Sequence, residues 1–171
     1  LILVEAKQIS TGVQTVTFEN LDGDSDRIYF IRGRVLRPAG SAGTTFTYSV
    51  RPNGLTTNLA YISYGGYYST AAGSNAISTS AGSSGYLIGS STSTTRFDLQ
   101  MWISAEKTLP RLFDIAISRR VFDGSNQQFD VWRSGVRWNE TTTNLTSIEI
   151  NCDRSGGLAA GTELYLYKLV C

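Results

Sequence analysis

Hydrophobic and polar residues alternate with a period of two along most of this chain. In the last third, Ile148, Ile150 and Cys152 share one face while Ser147, Glu149 and Asn151 share the other. After a Gly- and Ala-rich connection at 153–161, Leu164 and Leu166 oppose Tyr165 and Tyr167. Successive strand side chains point to opposite faces, so each run predicts a half-buried strand, and the two together predict a closing hairpin. Upstream, Val16 and Phe18 fall on one face of 13–18. Residues 27–36 place Tyr29, Ile31 and Val35 on one face, and Ile28, Phe30 and Leu36 with Arg32 and Arg34 on the other. Apolar groups on both faces predict an interior strand, or an outer face that meets another subunit. Phe46, Tyr48 and Val50 alternate with Thr45, Thr47 and Ser49. In 95–105, Phe97, Leu99, Met101 and Ile103 point inward and Arg96, Asp98, Gln100 and Trp102 outward; in 111–122, Phe113, Ile115 and Ile117 point inward.

Between these runs lie turn signals. They are Asp22-Gly-Asp-Ser-Asp26, the loop 38–43, Pro52-Asn-Gly54, the hairpin turn 123–126 and the polar loop 139–143. A strand at 55–64 is expected to end at Gly65-Gly66, and one at 128–133 to meet a tight turn or bulge at Ser134-Gly135 before resuming at 136–138. Residues 65–95 are nearly all Gly, Ser, Thr, Ala and Tyr. That stretch reads as one long excursion with a short strand at 86–88, and loops of such length are usually functional or disordered. The apolar head Leu1, Ile2, Leu3 and Val4 makes residues 1–10 either an N-terminal arm or an edge strand. No amphipathic helix longer than a turn is visible. Short strands punctuated by Gly, Asn and Asp turns predict a single all-β domain over 1–171, an antiparallel sandwich or barrel.

Composition narrows the function. Fifteen Lys and Arg against fourteen Asp and Glu give a net charge of +1, which argues against a general nucleic-acid or anionic-membrane binder. The 1–4 head is too short for a signal core or a membrane span. There is no His, which removes the commonest general base, the Ser-His-Asp and Cys-His constellations and His-based zinc sites. The scattered glutamates form no recognisable pair, and no phosphate-cradling glycine loop is present. Nothing points to an enzyme. Of the two cysteines, Cys152 sits on an inward strand face and is expected as a buried free thiol; pairing with Cys171 is the other option.

Three constellations remain. Asp22, Asp24 and Asp26 either converge on Ca²⁺ or bond nearby backbone amides and Arg27; no other cofactor is indicated. Trp102, Trp132 and Trp138, with Tyr64, Tyr67 and Tyr68, either form a sugar-stacking platform or pack in the core and at a subunit interface. Arg32, Arg34 and Arg37, then Arg119 and Arg120, either pair with carboxylates of a neighbour or form a solvated face.

Two stretches carry a resemblance. The C-terminal Gly161-Thr-Glu-Leu-Tyr-Leu-Tyr167 and the upstream Phe18-Glu-Asn-Leu-Asp-Gly-Asp-Ser-Asp-Arg-Ile-Tyr29 resemble, in that order, segments of tailed-bacteriophage virion proteins. The resemblance implies a jelly-roll-like β-sandwich on a phage particle. The expectation drawn from it is a capsid decoration or cement protein on the outer surface of the capsid. Its partners would be the major capsid protein of the same virion and itself, as a homo-oligomer guessed to be a trimer. The contact residues would be Leu1, Ile2, Leu3, Val4, the 65–95 stretch with Tyr67 and Tyr68, the aromatics Trp102, Trp132 and Trp138, and Arg32 and Arg34. The rival expectation is a receptor- or carbohydrate-binding module of a tail fibre or baseplate, with a glycan as partner. A small polysaccharide-active enzyme is the third.

Overall fold

The computed structural model describes residues 1–38, 46–69, 74–83, 85–90, 94–123 and 126–170, with backbone alone at 66–69, 74–80, 86–90, 94–95, 120–123 and 126–128. In chain order its elements are β1 (Ile2–Gln8), β2 (Thr15–Phe18), a single helical turn α1 (Gly23–Asp26), β3 (Ile28–Leu36), β4 (Phe46–Pro52), β5 (Leu59–Ser69), β6 (Ser74–Gly82), β7 (Tyr86–Ser90), β8 (Thr94–Ser104), β9 (Arg111–Asp123), β10 (Asn126–Trp138), β11 (Ile148–Cys152) and β12 (Glu163–Lys168). They form two sheets. The large one runs β1-β12-β3-β8-β9-β10-β5-β6 and the small one β2-β11-β4-β7. Neighbours in both are antiparallel.

The alternation read from the sequence is what closes the sandwich. Tyr29, Ile31 and Val35 of β3, Leu99, Met101 and Ile103 of β8, Phe113 and Ile115 of β9, and Leu164 and Leu166 of β12 are all buried. They meet Val16, Phe18, Tyr48, Val50, Ile148, Ile150 and Cys152 of the small sheet in one core. Tyr48 and Phe97 link the layers edge to face, with centroids 4.9 Å apart. Each such buried side chain removes apolar area worth about 1.5–3 kcal/mol from water. The burial pattern therefore fixes the register, because a slip of one residue would turn these rows outward.

Four expectations change. Residues 65–95 do not form one long excursion. β5 continues through Gly65-Gly66, pairs with β6, and β7 joins the small sheet beside β4. An edge strand needs backbone partners more than apolar alternation, so the Ser- and Thr-rich β6 carries no periodic signal. At Gly65 a side chain is excluded, because a Cβ there would sit 2.3 Å from the Trp132 indole. That close approach keeps the strand running where a turn was expected. Ser134 and Gly135 are likewise in register on both sides, opposite Ile115 and Asp114 in β9 and Ser63 and Ile62 in β5. Finally, β11 and β12 are not a hairpin: they lie in different sheets, and the 153–161 connection crosses between them. In that crossing Gly157 packs against Cys152, where a Cβ would lie 2.2 Å from Sγ.

The N-terminal segment is an edge strand of its own domain, β1 paired with β12. Cys152 is a buried free thiol, whose pKa burial raises. Cys171, residues 39–43 of the expected loop 38–43 and the expected turn residues Gly124 and Ser125 lie outside the described residues.

Candidate functional site

The outer face of the large sheet collects the polar and aromatic side chains that alternation excludes from the core. Reading the register across strands gives three parallel rows. The first runs Leu3–Tyr167–Phe30–Trp102 over β1, β12, β3 and β8. Phe30 and Trp102 stack with centroids 4.4 Å apart, and Phe30 and Tyr167 approach to 6.2 Å. Trp102 keeps 42% of its surface exposed and Leu3 52%. An apolar strip of this kind across four strands is unusual on a water-facing sheet, where scattered single residues are the norm.

The second row runs Tyr165–Arg32–Gln100–Ala116, and the third Glu163–Arg34–Asp98–Ser118. With Val131 of β10 these rows line a groove of about 450 Å³. Its floor is low because Gly33, Ala116 and Ser118 are small, and its walls are the long Arg, Tyr and Val side chains. The Arg32 guanidinium lies 5.6 Å from the Tyr167 ring centre, so the cation shields one end of the aromatic row. The groove thus offers stacking faces, guanidinium donors and carboxylate and amide acceptors side by side. Its volume falls within the range of small-ligand clefts.

Asp98 and Glu163 both border the groove, two strands apart, with Arg34 between them in the register. At about 4.8 Å per strand, the two backbones are roughly 10 Å apart. A glycosidase acid must be shielded from water so that its proton is retained. The Asp98 side chain is 52% exposed beside Arg96, and the Glu163 carboxylate accepts a hydrogen bond from Gln8 Nε2 at 3.2 Å. Both carboxylates stand at the groove as acceptors.

The other sequence candidates fall elsewhere. Trp138 is fully buried beneath the Arg111 guanidinium, 5.0 Å from its ring centre, so it belongs to the core and not to a contact surface. Trp132 packs partly buried against the core edge. Tyr67 and Tyr68 lie on β5, and their side chains are outside the described residues. Tyr64 is exposed on the same strand. Leu1, Ile2, Leu3 and Val4 are all exposed, at 60%, 53%, 52% and 42%.

Asp22, Asp24 and Asp26 do not converge on a cation site. Asp22 caps α1, accepting from the Ser25 amide at 3.3 Å and hydroxyl at 2.7 Å and from Asn144 Nδ2 at 3.0 Å. Those hydrogen bonds hold its carboxyl below the usual carboxylate range. Asp26 accepts from the Tyr29 hydroxyl and the Lys168 ammonium, both at 2.8 Å, and Asp24 faces Lys107 at 3.5 Å. Each carboxylate is turned to a different partner from its own chain. Among the described residues no group of three or more His, Cys, Asp or Glu side chains could hold a metal ion. Nor is any described helix long and apolar enough to cross a membrane.

Sequence reading isolated Trp102, Arg32 and Arg34 but missed that Phe30, Tyr165, Tyr167, Gln100, Asp98 and Glu163 join them. Each was legible as outward-facing. What was missing was strand order, since β12, β3 and β8 are distant in the chain. Comparison of the chain with family models, with curated proteins and with solved structures gave no match.

Proposed function

We propose that this chain is a non-enzymatic structural protein of a tailed-phage virion, a capsid decoration protein that clamps neighbouring major capsid subunits from outside. The strand order supports the jelly-roll form of the sandwich. Such a fold sets its first strand beside its last, then its third and sixth, in one sheet; the second, seventh, fourth and fifth form the other. Counting β2, β3, β4, β5, β6, β7, β8 and β11 as those eight gives β2-β11-β4-β7 and β3-β8-β5-β6, with the β9–β10 hairpin inserted beside β8 and β1 and β12 added outside β3.

The observation that carries the functional reading is the Leu3–Tyr167–Phe30–Trp102 strip. It is built on four hydrogen-bonded strands, so it presents aromatic area at little cost in side-chain entropy. Burying it across a seam between capsid subunits stabilises the assembled shell by mass action. The test is co-sedimentation of the purified chain with emptied capsids. Saturable binding that Trp102→Ser weakens at least tenfold supports the reading; binding to tails or cells and never to shells refutes it.

A second reading, a receptor- or carbohydrate-binding module, is favoured by the groove beside the strip. Tyr165 and Trp102 offer ring faces to a pyranose, and Arg32, Gln100, Asp98 and Glu163 offer hydroxyl partners. A glycan panel separates the two readings, since this one requires binding without capsid that Arg32→Ala and Gln100→Ala abolish.

A further inference from the structure

We propose that β1 is a self-complementary docking edge through which two copies of this chain pair antiparallel, joining their large sheets across a two-fold axis centred on Ala6. This goes beyond the virion reading and does not depend on it.

The backbone is set up for such pairing. The Ile9 amide donates to Thr162 O at 2.9 Å, and Ile9 O accepts from the Gly161 amide at 2.7 Å. Backbone groups alternate in direction along an antiparallel strand. Lys7 and Glu5, opposite Leu164 and Leu166, therefore turn their N–H and C=O toward β12, while Ala6 and Gln8 turn theirs away from the sheet. An open row of donors and acceptors is a template for another strand. Of the two edges of the large sheet, β6 is Ser- and Thr-rich, whereas β1 begins with three exposed apolar residues, Ile2, Leu3 and Val4.

Charge then selects both the partner and the register. Glu5 and Lys7 lie on the same face of β1 and already pair within the strand at 2.5 Å, each about one-third exposed. A two-fold axis at Glu5 or at Lys7 would set like charges opposite each other. An axis at Gln8 would set Lys7 against Ile9. Only an axis at Ala6 sets Glu5 opposite the second copy's Lys7, twice, closing a ring of four charges. It also lets the two Ala6 residues exchange hydrogen bonds. The register shift between Leu3 and Glu5 leaves Ala6 inside the regular part of the strand. Ala6 adds no bulk at the axis.

The experiment is sedimentation equilibrium of the full chain with three variants. Lys7→Glu turns two attractive cross-strand pairs into repulsive ones and should weaken the dimer about tenfold or more. Glu5→Lys/Lys7→Glu restores opposite charges and should restore the dimer. Ala6→Pro removes an amide that β12 does not use and should give a monomer with an unchanged circular dichroism spectrum. A wild-type chain that stays monomeric up to ~1 mM overturns the proposal. So does a dimer or trimer that neither Lys7→Glu nor Ala6→Pro weakens, and so does a charge swap that fails to rescue Lys7→Glu.

Discussion

Arg111→Met offers a sharp test of how the two sheets are held in relation to each other. Arg111 begins β9, is fully buried, and stacks on Trp138. Its guanidinium donates to three backbone carbonyls: Ala105 O at 3.4 Å, Glu140 O and Thr143 O. Ala105 follows β8, and Glu140 and Thr143 belong to the passage from β10 in the large sheet to β11 in the small one. One cation thus gathers three loop carbonyls. Methionine keeps the apolar stem and removes the donors. Hydrogen bonds from a charged group contribute about 1.5–3 kcal/mol each, partly offset here because the cost of burying the charge also disappears. The net loss is roughly 3–5 kcal/mol, a large share of a typical domain's stability. For a chain of this size that lowers the melting temperature by about 10 °C. The assay is thermal unfolding followed by far-ultraviolet circular dichroism and by tryptophan fluorescence. The fluorescence of Trp138 should also change in the native baseline. A variant melting within ~2 °C of the parent would refute the claim that Arg111 holds this crossing.

Other consequences follow from the same geometry. Arg119 and Asp130, opposite each other in β9 and β10, form a buried ion pair. Asp130→Ala should therefore cost about 3–5 kcal/mol in urea unfolding, while the double change Arg119→Met/Asp130→Leu should recover most of it. Glu140 accepts hydrogen bonds from the Thr142 hydroxyl and amide and the Thr143 amide, which hold its carboxyl down to about 2 from 4.5. A depressed carboxyl contributes stability that is present above its unfolded value and lost as pH falls through the folded one. Amide exchange at Thr142 and Thr143 should accordingly accelerate below pH ~4.5 in the parent and be pH-insensitive, beyond the intrinsic rate, in Glu140→Gln. Because Cys152 is buried with a raised pKa, in a Cys171→Ser background it should resist a thiol reagent in the native state and react at once in urea.

The core was legible in the sequence because a sandwich buries one face of each strand, and the period of two records that directly. Tyr29, Ile31, Phe97, Leu99, Phe113, Ile115, Ile148 and Leu164 all point where the alternation sends them. β6 was not legible, because Ser, Thr, Ala and Gly at a sheet edge satisfy backbone pairing without writing an apolar pattern, whereas Tyr86, Leu87 and Ile88 announced the short strand that is β7. Gly65 read as a strand end when its role is to admit the Trp132 ring. Spacing left Trp138 between a sugar platform, a subunit interface and the core, because its buried neighbour Arg111 is a cation and spacing cannot tell a buried cation from an exposed one. The groove was half legible. Each lining side chain announced its face, while the company it keeps depends on β12 lying between β1 and β3, a non-local pairing that no local pattern encodes.

The most direct test of the attachment account is hydrogen–deuterium exchange of the chain free and bound to emptied capsids. Protection on binding should centre on Ile28–Leu36, Thr94–Ser104 and Glu163–Lys168, three of the four strands that carry the Leu3–Tyr167–Phe30–Trp102 strip. Protection confined to the small sheet, with those three strands exchanging as in the free chain, would contradict it.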